Sequence, residues 1–372
     1  MKIKIYGDPY STSGYSLHCR EMLLAFIKAG WNVKLIHAIQ DSFQTSEFSG
    51  VKLIDEIKTD SFDKREDVII YITVPNLFNT YGKYNIGMFF YEADKLPDEW
   101  VTKCNLMDGI IVPSEFCKKV CEYSGVTVPV VVAHGYYNQH VPSEKIDWRE
   151  RLQIKENEKV FLSVFQWNYR KGFDALLRAY WSAFPTNGPR LVVKTYIESF
   201  SDKEKERIIS DIKNIRSMHF INRMGKTHIP DFPKISLLMD HLSEDEMFWL
   251  YEQSDAFVLL SRGEGWGRPY LEAAAHELPI IATDWSAHTE FLNKDNAYMV
   301  DAMPEPCIGI NGFYYPNTSF IASPNIFQAI QHLKSISTGI HVKKPMRETA
   351  FQFSEKRSVE EYKNAIIKIC ED

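Results

Sequence analysis

The chain has 372 residues, a formal net charge of −6 and a pI near 6.0, with 45% hydrophobic and 25% charged residues. That is the profile of a globular protein with material for two hydrophobic cores. The acidic balance, without stripes of Lys/Arg, argues against a nucleic-acid binder. No apolar run approaches the ~20 residues that span a bilayer, and Met1-Lys2-Ile3-Lys4-Ile5-Tyr6 enters a strand-like alternation with no apolar leader, so a cytoplasmic location without a transmembrane segment is expected, with peripheral association at a membrane left open. The six cysteines are scattered and form no C-x-x-C pair, so free thiols are expected rather than a disulfide framework or structural zinc.

In chain order, short β-branched runs alternate with longer amphipathic stretches, the pattern of parallel sheets covered by helices on both faces. Strands are predicted at Lys2–Tyr6, Asn32–His37, Val51–Ile54, Val68–Ile72, Asn85–Phe90, Gly109–Val112 and Val128–Ala133. Helices are predicted between them at Ser16–Ala29, Pro97–Met107 and Glu115–Ser124. Residues Tyr136–Lys159 are polar and lack a strong apolar period, which reads as a linker with a short helix. A second series follows: strand Val160–Phe165, helix Phe173–Ala183, strand Arg190–Tyr196, helix Asp202–Asn214 and strand Ile235–Met239. It continues with helix Glu244–Gln253, strand Ala256–Leu260, helix Tyr270–His276 and strand Pro279–Thr283, then shorter pieces and a charged amphipathic helix around Val359–Glu371. The expected fold class is α/β, with two doubly wound, Rossmann-like domains facing each other over 1–150 and 151–345 and a helical segment at 346–372. Ligands of such sheets bind at the carboxyl ends of strands, which directs attention to Tyr6–Gly14, Phe90–Leu96, Phe165–Gly172 and Ser261–Pro269.

The last of these loops carries the most chemistry. Ser261-Arg262-Gly263-Glu264-Gly265-Trp266-Gly267-Arg268-Pro269-Tyr270-Leu271-Glu272 follows an apolar strand and opens a helix, with Pro269 suited to a first helical position. Gly265 and Gly267 let backbone amides approach a ligand, and the helix N-terminus adds unpaired N–H groups and partial positive charge, a way to hold a diphosphate without a metal. Glu264 is free to accept from sugar hydroxyls, and Glu272 from a ribose diol. A glycine-rich turn can also be a plain tight connection, and an early helical Glu favours the helix dipole with no ligand present. Arg170 and Lys171, in Phe165-Gln166-Trp167-Asn168-Tyr169-Arg170-Lys171-Gly172-Phe173, place two adjacent cations on another loop after a strand, which suits a diphosphate. The eleven histidines show no metal-binding constellation, and no nucleophile elbow is present.

The run from Glu264 to Glu272 resembles the E-x7-E signature of retaining glycosyltransferases of the GT-B fold, glycosyltransferase family 4, and Leu278-Pro279-Ile280-Ile281-Ala282-Thr283 is similar to that family's next strand. Weaker similarity extends to Gly7–Tyr15, Asp108–Ser114, Val132–Gly135, Ser254–Val258 and Phe353-Ser354. The resemblance implies a nucleotide diphosphate-sugar donor, a hydroxyl acceptor (glycan, lipid-linked sugar, glycolipid or glycoprotein), no metal or other cofactor, and a last helix crossing back onto the first domain. It implies catalytic roles for Glu264, Lys171 and Arg170, and donor contacts from Gly14, Asn168, Arg262, Gly265, Trp266, Gly267, Arg268 and Glu272. Three positions depart from the family. Gln166 stands where many members have Arg, Glu277 where a Gly is usual, and Phe90-Tyr91-Glu92-Ala93-Asp94 where a His is common. Glu92 is a candidate to orient or deprotonate the acceptor, with Asp94 behind it, and either could instead cap the helix near Pro97. A nucleotide-sugar epimerase, a phosphorylase and a non-catalytic nucleotide-sugar-binding protein stay open as alternatives.

Overall fold

The computed structural model describes residues 2–38, 45, 48–137, 140–184, 186–224, 233–308, 310, 312, 314–339 and 347–371. The first sheet is built from β1 (Lys2–Gly7), β2 (Val33–His37), β3 (Asp67–Ile72), β4 (Tyr84–Met88), β5 (Gly109–Val112) and β6 (Val130–Val132), in the spatial order β2-β1-β3-β4-β5-β6. The second holds β7 (Val160–Gln166), β8 (Arg190–Tyr196), β9 (Ile235–Leu238), β10 (Ala256–Leu259), β11 (Ile280–Thr283) and β12 (Tyr298–Val300), in the order β12-β11-β10-β7-β8-β9. All pairings in both are parallel. Strands buried on both faces read as continuous apolar runs, which is why Ile69-Ile70-Tyr71-Ile72 and Ala256-Phe257-Val258-Leu259 are legible as strands.

The helices are α1 (Gly14–Lys28), α2 (Val51–Glu56), α3 (Asp98–Cys104), α4 (Glu115–Ser124), α5 (Trp148–Arg151) and α6 (Phe173–Ala183), then α7 (Asp202–Met224), α8 (Glu244–Glu252), α9 (Arg268–Ala275), α10 (Ile326–Ser337), α11 (Arg347–Phe351) and α12 (Glu355–Glu371). The expected strand at Val51–Ile54 is instead the helix α2. Gly50 caps it, and Val51 is half-buried, Lys52 and Leu53 are exposed and Ile54 is fully buried, a three-residue rhythm that fits one helical turn against α1 and not a two-residue pleat. The region after Thr283 is also more regular than expected. It holds β12, an antiparallel pair β13 (Ala302–Pro306) and β14 (Phe320–Pro324), and α10.

Each sheet has its own core, and the two domains are stitched together in two further ways. Helix α12 lays Tyr362, Ala365, Ile366 and Ile369 into the cluster formed by Ile3, Ile5, Leu35, Ile70 and Ile86 of the first sheet. The β13–β14 hairpin inserts Cys307 and Ile321 into the other first-domain cluster, around Tyr91, Trp100 and Cys117. Between the domains, the His134 ring meets Glu361 at 2.9 Å and Glu290 at 3.3 Å. Burial alone would lower the pKa of His134, but the hydrogen bonds to Glu290 and Glu361 outweigh it and raise the value to about 9, so the ring is a cation between two carboxylates. All six cysteines are free thiols, five of them buried.

The departure at Glu277 has a backbone explanation. Its φ of 56° is left-handed, at the point where Leu278 N–H turns back to Ala273 O at 3.1 Å to finish α9. This is the conformation that glycine adopts without penalty. The side chain is exposed. Glu277→Gly is expected to raise unfolding stability by about 1 kcal/mol, because the left-handed conformation costs a side chain ~1–2 kcal/mol and glycine returns part of that as unfolded-state entropy. Chemical denaturation of the two proteins measures the difference, and an unchanged or lower midpoint refutes it.

Candidate functional site

Sheet order reverses between β7 and β10, which are hydrogen-bonded neighbours whose sequence successors run off in opposite directions. The loops that follow them therefore leave the sheet side by side, at the switch point where ligands of such sheets bind. Arg262 N–H donates to Arg170 O at 2.6 Å and locks one loop to the other. In the first loop the Asn168 side chain accepts from Lys171 N–H and caps the short 3-10 turn Tyr169–Lys171. Gly172, at φ 69°, then turns the chain into α6.

This geometry brings Glu264, Lys171, Arg170 and Glu92 together. Lys171 Nζ lies 2.7 Å from both carboxylate oxygens of Glu264. Arg170 Nη1 donates to Gly263 O at 2.7 Å and stands 3.7 Å from Glu264, while Nη2 reaches Glu92 of the other domain at 3.3 Å. Tyr315 O–H donates to the second Glu92 oxygen at 2.7 Å. Glu264 is only 5% exposed, and burial by itself would disfavour its charge. Lys171 and Arg170 outweigh that burial and hold the carboxyl below the ordinary glutamate range. Behind it, Glu264 N–H donates to Ser286 Oγ at 2.9 Å, and Ser286 keeps a left-handed φ of 71° to do so.

The glycines of the second loop press against the first domain. A Cβ on Gly263 would lie 2.1 Å from Glu92 O, and one on Gly265 would lie 2.8 Å from Phe90 Cβ. Ser114 Oγ donates to Gly265 O at 3.0 Å across the same seam. The backbone amides of Gly265, Trp266 and Gly267 find no acceptor among the described residues, directly before the N-terminus of α9. Unpaired amides at a helix start are an anion-binding arrangement.

The remaining candidates spread around this centre. Arg268 pairs with Glu21 of the first domain and, at 3.0 Å, with Glu272, whose other oxygen accepts from Tyr251 O–H at 2.8 Å. The Arg262 guanidinium is engaged by Asp174 at 2.8 and 3.0 Å and by Tyr169 O, so it braces the first loop. Trp266 is buried among Phe291, Phe353 and His134. Gly14 opens α1, exposed and with open space where a Cβ would go, and makes no contact with that centre among the described residues. Asp94 makes a backbone-like pair with Phe320 of the hairpin, accepting from its N–H at 2.6 Å. Gln166 donates to Ile197 O at 2.6 Å and so holds the end of β8.

Sequence reasoning passed over several neighbours. Lys194, near the carboxyl end of β8, is 7% exposed, makes no ion pair among the described residues, and lies over the rings of Phe200 and Tyr196. Burial pushes its pKa down to about 8. Its one signal is a lysine inside the apolar run Leu191-Val192-Val193-Lys194. Tyr315, Ser286 and Glu21 had no signal, since each acquires its role from a distant partner. Among the described residues no group of three or more His, Cys, Asp or Glu is arranged to hold a metal ion, and no helix is long and apolar enough to cross a membrane.

Residues 157–306 match the family described as Glycosyl transferases group 1. The chain is 24% identical over 236 residues to Uncharacterized protein 356 of Sulfolobus islandicus rod-shaped virus 1, across 60% of this chain and 58% of that protein. Among solved structures it is similar to a glycosyltransferase from Rickettsia africae ESF-5, with a TM-score of 0.67 at 14% identity over 100% of this chain and 99% of that one. It is also similar to Anabaena Alr3699/HepE in complex with UDP and glucose, with a TM-score of 0.65 at 12% identity over 99% of this chain and 100% of that one. The chain thus has the two-domain GT-B architecture, and the match to the Glycosyl transferases group 1 model falls within its second domain.

Proposed function

We propose that this chain is a glycosyltransferase that moves a sugar from a nucleoside diphosphate-sugar to a hydroxyl acceptor on a glycan, lipid or protein, with retention of anomeric configuration and without a metal. The observation that carries the reading is the juxtaposition of unpaired amides at Gly265, Trp266 and Gly267 with the loop that bears Arg170 and Lys171. Together they offer fixed donors and two positive charges to a group that gains negative charge as it leaves, the electrostatic contribution that dominates much enzymatic catalysis. Glu264 reads the sugar hydroxyls, Glu272 the ribose, and Glu92 orients the acceptor hydroxyl. The donor's own phosphate takes the acceptor proton. The pressed seam between Gly263, Gly265 and Phe90–Glu92 keeps water from the reacting centre.

A thermal-shift screen with UDP-, GDP-, ADP- and dTDP-sugars tests this. A ligand at 100 times its Kd adds about 2.7 kcal/mol of stability. One donor class is expected to stabilise the protein, and the product formed with an acceptor is expected to keep the donor's anomeric configuration by NMR. Stabilisation by none of the four removes the reading. Conversion of the donor with no acceptor present points to an epimerase.

A further inference from the structure

The charges in the seam are already balanced. Two cations, Arg170 and Lys171, face two carboxylates, Glu92 and Glu264, and all four side chains are largely buried. Lys171 and Glu264 belong to adjoining loops of one domain and hold each other through two short contacts. Glu92 is different. It comes from the other domain, touches Arg170 through a single contact, and is steadied by Tyr315 from the hairpin arm. A diphosphate entering this neutral cluster would meet as many carboxylates as cations. With Glu92 withdrawn, the remaining three groups carry a net positive charge, which an anion can use.

We infer that Glu92 is a built-in competitor for the diphosphate: its carboxylate occupies the Arg170 guanidinium across the cleft, and a nucleoside diphosphate binds by taking that guanidinium from it. The exchange needs no covalent step. One anion replaces another on Arg170, and the released Glu92 carboxylate stays at the lip of the cleft, where its backbone is pinned against Gly263. The same exchange that seats the donor therefore frees the group assigned above to the acceptor hydroxyl, so donor binding precedes acceptor binding. The inference rests on the proposed function for the identity of the ligand, but the competition for Arg170 is a matter of charge and holds for any diphosphate.

Titration calorimetry on the full chain tests it, with UDP, GDP, ADP and inorganic pyrophosphate as probes. Glu92→Gln removes the charge and keeps the shape, and is expected to tighten the nucleotide that wild type binds, and pyrophosphate, by about tenfold, the scale of one charge-assisted hydrogen bond. Tyr315→Phe removes the hydroxyl that steadies Glu92 and also faces the Arg170 guanidinium, while leaving the Glu92 charge in place, and is expected to tighten both by a smaller factor, about threefold. It also serves if Glu92→Gln does not fold. Unchanged or weaker binding in both variants, with wild type still binding a nucleotide, overturns the competition and leaves the proposed function standing. If no protein binds a nucleotide but the variants bind pyrophosphate more tightly, the competition stands and the nucleoside reading falls. Unchanged pyrophosphate binding with no nucleotide bound overturns both.

Discussion

Lys171→Ala is expected to lower sugar transfer by about 10²- to 10³-fold, the range seen when one preorganised charge-stabilising donor is lost. The ammonium is shared between both Glu264 oxygens at 2.7 Å, so its removal leaves the Glu264 carboxylate, among the described residues, with the more distant Arg170 as its ion-pair partner. Breaking a buried pair by deleting one partner costs more than removing both. The single variants Lys171→Ala and Glu264→Ala are therefore each expected to lose about 2–3 kcal/mol, discounted from the fully buried case because Lys171 keeps some contact with solvent. The double variant Lys171→Met with Glu264→Leu is expected to recover most of that stability and none of the activity. Denaturant unfolding and a donor-turnover assay on the same four proteins separate the two roles. If Lys171→Ala and Glu264→Ala both transfer sugar at the wild-type rate, the site lies elsewhere.

Gly172→Ala is expected to cost about 4 kcal/mol or more and to lower the melting temperature of the second domain by about 10 °C. At φ 69° the residue is left-handed, and an added Cβ would stand 1.8 Å from Leu260 O, a backbone atom that cannot swing aside. The collision arises because the loops after β7 and β10 are pressed together to form the site. Gly14→Ala is the control: nothing lies within 4 Å of its Cβ position, at the first residue of a helix, so the fold is expected to be unharmed within about 0.5 kcal/mol. A native melt with lost turnover in Gly14→Ala would place the role of Gly14 at the ligand, and a native melt in Gly172→Ala would contradict the packing described here.

Much of the architecture was legible because parallel strands buried on both faces must be continuous apolar runs, and because glycine, proline and charge punctuate the loops that follow them. Val51–Ile54 misled because a four-residue apolar run has no period long enough to separate one helical turn from a short strand. β13 escaped because Pro304 and Pro306 read as loop, though an edge hairpin tolerates proline. At the site, the residues within each loop could be read locally: Glu264, Gly265, Arg170 and Lys171 lie in two short stretches. Their partners could not. Arg170 meets Glu92, Arg268 meets Glu21 and Glu92 meets Tyr315 only after the domains dock, and no local pattern records which side chains a docking surface will pair. Glu277 marks the limit from the other side, since its oddity was visible as a residue type and became intelligible only as a dihedral angle.

The return of α12 to the first sheet makes that domain an interrupted unit in time as well as in sequence. While the nascent chain is made, the strands of residues 2–132 are complete before the second domain exists, yet Tyr362, Ala365, Ile366 and Ile369 of their apolar cluster are still to come. The half that starts first therefore finishes last, with an oily flank open to chaperones until Glu355–Glu371 arrives, whereas the second half can close its own core as soon as it emerges.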